Sequence, residues 1–593
     1  MVERSMIAEK DKWDLTNIFK SVEEWKKCVD EITGALKDFE AFRGKLSEPK
    51  GLSKCLELKY ELDRKVKLVL LYSSLKSDED TRIGENQALR GQFMQLMAMY
   101  NAAISFIDPE LIEIGEDLMK LATEDGLEIY KQYFDDILRG KKHTLDADKE
   151  ELLAKMSEIT SSASNIFGMI NNADMVFEDV IDKDGNKHKL THSSAAVHLK
   201  SEDRILRESA NTNMLKEYEV RKNTIGQSFI ENLKKDRILA NIRNYNSSIE
   251  MKLSEDNIPL DVYTNLLDTI EANRESLYRL TDIRKKVLEV DELYTYDNMV
   301  SLVKDSDSDI NYEDAVKTVL ESLKPLGEEY CKKAKEGFES RWVDVYENIG
   351  KRSGAYSFSV PGVHPYILMN FNDSIHDMFT LTHEMGHAMH SYFTHQTQPQ
   401  VYSSYTIFLA EIASTVNEAF LYEHLMATTT DPKNRVYLLN ERIDNFRNTL
   451  FRQVSFAEFE KRAHELAQKG AVTREALNEI FLEINRKEYG PNMKFPENSE
   501  LGWSRIPHFY RSFYVYQYAT GFCASVALVE KIKNEGQLAL DAYLNMLKGG
   551  SSKYSIDLLK EAGVDLTTKA PIEAAMKNFA SLVDELEQEL SKI

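Results

Sequence analysis

The chain is poor in cysteine, proline and glycine, and each shortage removes a class of architecture. Its four cysteines, Cys28, Cys55, Cys331 and Cys523, are scattered and form no Cys-x-x-Cys pair. That argues against a disulfide framework or a cysteine-ligated metal and favours a reducing compartment. Only 12 prolines and 25 glycines punctuate 593 residues, too few for a many-turned β architecture and suited to long helices. No run of 18 apolar residues occurs, so no membrane span is expected. The opening MVERSMIAEKDKWDL has no apolar stretch of the kind a secretory leader needs. Long Lys/Arg runs are missing too, and the net charge is −23, which disfavours nucleic acid and anionic membrane surfaces as partners. A soluble cytoplasmic protein is the expectation.

Hydrophobic residues make up 42% and charged residues 29%, the balance of a globular protein with more than one domain's worth of interior. Residues 1 to about 170 read as successive amphipathic helices over Val22–Phe42, Leu56–Leu75 and Leu89–Phe106, with no repeat of fixed period. The stripe Phe93, Met94, Met97 and Tyr100 reads as core packing. Val176 to Leu190 breaks the pattern as a β-hairpin turning at Asp184-Gly185. His188 and His192 lie four apart there, but on a strand and loop, where that spacing does not converge on one ion. Helices resume over 202–240, 259–290, 312–339 and 434–487. The division expected is a helical region 1–190 followed by a catalytic region 191–593.

The chemistry concentrates at His383-Glu384-Met385-Gly386-His387. Histidines four apart on a helix share a face about one turn apart, so both imidazoles can reach one ion. Glu384 sits roughly 100° further round, placed to handle a water rather than to be a ligand. Chance yields such a motif in about one or two in a hundred chains of this length, so context decides. Tyr366–Phe371 reads as a strand, and Ser374 with Asp377 as a capping-box-like helix start. The helix runs from Ile375 to about Phe393, with the motif in its middle.

A longer zinc signature would require glycine at position 390 and histidine at position 393; the chain has His390 and Phe393. A second helical run from near Ser404 carries Glu411, 24 residues beyond His387, and Glu411 is assigned as third ligand. Glu418, seven further on the same face, either orients a ligand histidine or is a solvated carboxylate. His390 reads as a packing neighbour rather than a ligand. Late in the chain, IPHFYRSFYVYQYATGFCA (506–524) crowds His508, Tyr510, Tyr514, Tyr516 and Tyr518 together. Such a cluster is core by composition, or a set of neutral donors for a developing oxyanion by chemistry.

The segments YILMNFNDSIHDMFTLTHEMGHAMHS, AEIASTVNEAF and PHFYRSFYVYQYATGF together closely resemble the oligoendopeptidase F family of thimet-oligopeptidase-like zinc metallopeptidases. WDLTNIF at 13–19 and GGSSKYSIDLLKEAGVD at 549–565 extend the likeness over nearly the whole chain. The resemblance implies a mainly α, two-lobed helical shell around a deep substrate channel, with a small β-sheet next to the HExxH helix. It implies one Zn²⁺ per chain on His383, His387 and Glu411, and short peptides as substrates; the oligomeric state stays open. Glu384 matches the general base toward metal-bound water, and His508, Tyr514 and Tyr518 match the transition-state donors. Gly521 stands near where the thimet-oligopeptidase pattern has a further tyrosine, which leaves oxyanion duty to Tyr514 or Tyr518. The implied activity is internal cleavage of oligopeptides; the alternative is peptidyl-dipeptidase or carboxypeptidase-type end trimming.

Overall fold

In the computed structural model, residues 2–303 and 310–593 are described. The chain is mainly helical, with three small sheets among the described residues. By internal contacts it gathers into two compact units. The first comprises Met1–Thr144, Ser308–His424 and Leu528–Val564; the second comprises Leu145–Asp307, Leu425–Ala527 and Asp565–Ile593.

The first unit builds one core from its N-terminal helices and its sheet. Trp25 and Ile32 on Val22–Ala35, Leu62 and Val66 on Pro49–Glu79, and Phe93 and Tyr100 on Gly84–Ile104 are buried together with Tyr366 and Leu368. These residues recur at helical spacing, so each helix presents a single apolar stripe inward. Two details depart from the sequence reading. The first helix tightens to a 3₁₀ turn at Leu36–Ala41 instead of running on to Phe42. Met94 is 61% exposed, because it lies off the face shared by Phe93, Met97 and Tyr100.

The unit's sheet has three strands, β1 (Val343–Tyr346), β2 (Tyr356–Phe358) and β3 (Tyr366–Phe371), in the order β1-β3-β2. β3 is central, parallel to β1 and antiparallel to β2. Its near-continuous burial follows from that central position, and β2 forms an edge. On β1 the Asp344 carboxyl is buried at a salt bridge to Arg4 at 2.5 Å and another to Lys351 at 2.7 Å. Burial opposes its charge, yet the two cations hold it below the usual carboxylate range. Helix α1 (Ile375–Thr397) packs on β2 and β3, so the small sheet does lie next to the HExxH helix.

The second unit packs helices such as Lys222–Ile242, Leu260–Ala272, Arg452–Lys469 and Arg474–Tyr489. Their core is aromatic: Phe229 lies 5.4 Å from Trp503, and Phe459 lies 5.0 Å from Phe509, between ring centres. The hairpin is present as Val180–Ile181 paired with Lys187–His188. His192 opens a helix, His192–Lys200, rather than sitting in a loop, because Thr191 makes a capping box with Ser194. His188 binds Asp182 at 2.8 Å and His192 the Asn171 carbonyl at 2.9 Å, so the two rings serve separate partners.

Candidate metal centre and aromatic donor cluster

Helix α1 begins where its N-cap places it. Ser374 Oγ accepts from the Asp377 amide at 3.1 Å, and the Asp377 carboxylate accepts from Ser374 Oγ at 2.7 Å and the Asn372 amide at 3.0 Å. With the start pinned, the i,i+4 spacing delivers the His383 and His387 Nε2 atoms to within 3.1 Å of each other. The second helix, α2 (Ile407–Thr428), brings Glu411 Oε2 to 3.5 Å from His383 Nε2 and 3.7 Å from His387 Nε2. Donors held tetrahedrally at zinc distances of about 2.0–2.1 Å would be roughly 3.3 Å apart, close to these separations. Among the described residues, His383, His387 and Glu411 are the grouping able to hold a metal ion.

Close approach of the two helices depends on Gly386. A Cβ there would meet Ser414 Cα at 2.6 Å and the Ala413 oxygen at 2.7 Å. The helices are also pinned by Asn417, whose Nδ2 donates to the Thr382 carbonyl at 3.4 Å while its Oδ1 accepts from Tyr330 at 2.9 Å. Glu418, left open by the sequence, is buried and meets His383 Nδ1 at 2.5 Å. Holding Nδ1 this way turns Nε2 toward the common point and fixes the ring. His390 lies fully buried and stacks on Tyr405 at 3.7 Å, outside the donor grouping.

Electrostatics separates the members. Burial alone would lower the His383 pKa, but the hydrogen bond and charge of Glu418 outweigh it and hold it up at about 9. Burial and the neighbouring His383 push His387 down to about 3, against a hydrogen bond to the Ala410 carbonyl. Burial pushes the Glu384 carboxyl up to about 7, with the Glu411 charge adding, while His383 and a bond from the Ser357 amide of edge strand β2 oppose. A carboxyl tuned near neutrality can take a proton and give it back. A set of two histidine nitrogens and one carboxylate oxygen, on side chains that are partly exposed (18–27%), suits a divalent ion with an open fourth position.

The second unit holds the other predicted site residues. His508 and Tyr514 lie parallel with ring centres 6.1 Å apart, and Tyr518 stands edge-on to both at 6.4 and 5.4 Å. Tyr518 donates to the Tyr514 hydroxyl at 3.3 Å. Burial and the Arg511 charge hold His508 below its ordinary pKa, so it is neutral at pH 7. The other two phenols go elsewhere: Tyr510 stacks on Phe167 at 4.6 Å and Tyr516 packs on Tyr263 at 5.1 Å.

What aims Tyr514 is a set of residues that sequence reasoning missed. Phe513 is held at φ 58°, a left-handed conformation that a bulky residue adopts only under constraint. Its amide donates to Glu460 Oε1 at 2.9 Å, and Ser512 Oγ donates to Asp236 Oδ2 at 2.6 Å. Asn232 Nδ2 adds bonds to the Phe509 carbonyl at 3.2 Å and Ser512 Oγ at 3.3 Å. Glu460 is buried and its carboxyl is pushed well above the usual range. Nothing in the local sequence marks these helix residues, whose partners lie tens to hundreds of positions away.

Residues 197–578 match the family model described as Peptidase family M3, and residues 110–177 match the one described as Oligopeptidase F. The chain is 41% identical to Oligopeptidase PepF of Bacillus subtilis, covering 100% of this chain and 89% of that relative. It is 38% identical to Group B oligopeptidase PepB of Streptococcus agalactiae, covering 99% and 98%. Against the crystal structure of oligoendopeptidase-F from Enterococcus faecium the TM-score is 0.76 at 34% identity, covering 96% and 99% of the two chains.

Proposed function

The chain belongs to peptidase family M3, and on that premise we propose that it is a zinc-dependent endopeptidase cutting internal bonds of short oligopeptides. The observation that carries the reading is the convergence of His383 Nε2, His387 Nε2 and Glu411 Oε2 beside a buried carboxyl, Glu384, tuned to about 7. A zinc ion held by those three side chains would supply Lewis acidity, acidifying water and polarising the scissile carbonyl. Glu384 takes the proton from the attacking water and delivers it to the departing amine. Glu418 keeps His383 oriented throughout. His508, Tyr514 and Tyr518 are assigned as neutral donors to the developing oxyanion. The amide-bearing edge of β2 can hold an extended peptide by strand addition. Four free cysteines accord with a reducing, cytoplasmic setting.

The test is a mass spectrum of products from a mixture of a doubly capped oligopeptide and an intact folded protein. Internal cuts in the peptide alone are expected. A capped peptide left whole, alongside trimming of its uncapped counterpart, would replace this reading with peptidyl-dipeptidase or carboxypeptidase-type action.

A further inference from the structure

The second unit contains a cavity of about 200 Å³ that the proposed chemistry does not use. Two guanidinium groups face it, and neither forms an ion pair among the described residues. Among the described residues, the hydrogen bond that Arg505 makes is to Met214 Sδ, at 3.8 Å. Arg452 donates to Asn485 Oδ1 at 3.3 Å and the Tyr489 hydroxyl at 3.5 Å, and lies 4.6 Å over the Phe456 ring. Carboxylates are not scarce in a chain of 98 acidic residues. A third arginine of the same wall, Arg447, does have a partner, Asp444 at 2.8 Å. The cavity's own acid, Glu488, forms no ion pair with either free guanidinium, and its Oε2 accepts no hydrogen bond.

Among the described residues, unmatched side-chain donors outnumber unmatched acceptors around this space. The Nδ2 atoms of Asn211 and Asn298 are buried there with no acceptor. Two like charges sharing a cavity are costly when its lining carboxylate, Glu488, pairs with neither, and a second opposite charge placed between them relieves that cost. Burial, with the Arg452 charge adding, lowers Arg505 to about 10, which reports the same strain from the electrostatic side. Guanidinium forks match the paired oxygens of a carboxylate or phosphate.

We propose that this cavity binds a small oxyanion, of the carboxylate or phosphate kind, between Arg452 and Arg505. Such an anion supplies the missing acceptors and leaves Glu488 and the already paired Arg447 in the wall. The chemistry is shared by two sources, the C-terminal carboxylate of a peptide and a free inorganic anion.

The experiment is calorimetric titration of the full-length Glu384→Gln protein, which should leave peptides intact, at constant ionic strength. Probes are inorganic phosphate, an N-acetylated tripeptide with a free C-terminus, and the same tripeptide as its C-terminal amide. Saturable binding of one anion per chain is expected, weakened about 10- to 100-fold by Arg505→Gln and separately by Arg452→Gln. Binding of the tripeptide acid and not the amide identifies a peptide terminus as the occupant; phosphate binding without tripeptide binding identifies a free anion. Absence of saturable binding, or binding that both arginine variants retain, overturns the proposal. Should Arg505→Gln fail to fold, Arg452→Lys and Arg452→Gln carry the test: the lysine should bind more weakly than arginine and more tightly than glutamine.

Discussion

The helices of the candidate metal centre and the loop of the aromatic cluster are both candidate catalytic regions, yet they are organised in opposite ways. On α1 a regular helix does the positioning: its period brings His383 and His387 together, and an N-cap sets where it begins. The loop that carries Tyr514 has no such period. It is aimed by Glu460 and Asp236, distant in sequence, and by a left-handed Phe513. Regular structure places groups by spacing, whereas an irregular segment needs buried polar partners to remove its freedom. Lesions in the two regions should therefore fail differently, one through metal and helix packing, the other through turnover at full metal content.

Tyr514→Phe should separate them most strongly. Loss of one proposed oxyanion donor predicts a fall in kcat on the order of 10²–10³, with KM and bound metal little changed. Metal analysis beside steady-state kinetics checks this, and a variant that loses metal would erase the distinction. Glu418→Ala acts on the other region. Freeing the His383 ring should weaken metal affinity about 10- to 100-fold, read by chelator competition, while the aromatic loop is untouched; unchanged affinity would return Glu418 to an ordinary buried carboxylate.

Gly386→Ala pushes against backbone of α2 at 2.6–2.7 Å. It should cost about 1–3 kcal/mol, the usual range for overpacking, and lower metal occupancy together with the thermal midpoint. A variant as stable as the parent would show that the helices can part freely. A further effect concerns pH. His464 is buried near Phe513 and Asp236, and burial lowers its pKa to about 4 from an ordinary 6.5. The unfolded chain therefore binds the extra proton first, so the stability contribution is complete above pH 6.5 and lost as pH falls toward 4. The loss is on the order of 3 kcal/mol. His464→Phe should flatten the fall in denaturation midpoint between pH 6.5 and 4; parallel curves would contradict the assignment.

The same contrast explains what was legible in the sequence. The strand Tyr366–Phe371, the cap at Ser374 and the motif's mid-helix position follow from local residue types, so they could be read directly. Glu411 was within reach because its helix must return alongside α1. Whether Glu418 was a solvated carboxylate could not be decided locally, since only the packing of α2 on α1 aims it at His383. Tyr514 and Tyr518 could be picked out by resemblance, but their separation from Tyr510 and Tyr516 depends on the left-handed turn. Glu460, Asp236 and the arginine-lined cavity were invisible because their partners are joined only by the fold. Met94 was misplaced because a cluster of apolar letters is not yet a face.

The most direct test of the whole account is the pair of metal content and peptide turnover in Glu384→Gln. The substitution keeps size and removes the proton acceptor, so the protein should fold, retain its metal and lose turnover by about 10³-fold or more. Turnover within a few-fold of the parent, at equal metal content, would contradict Glu384 as the base and with it the proposed mechanism.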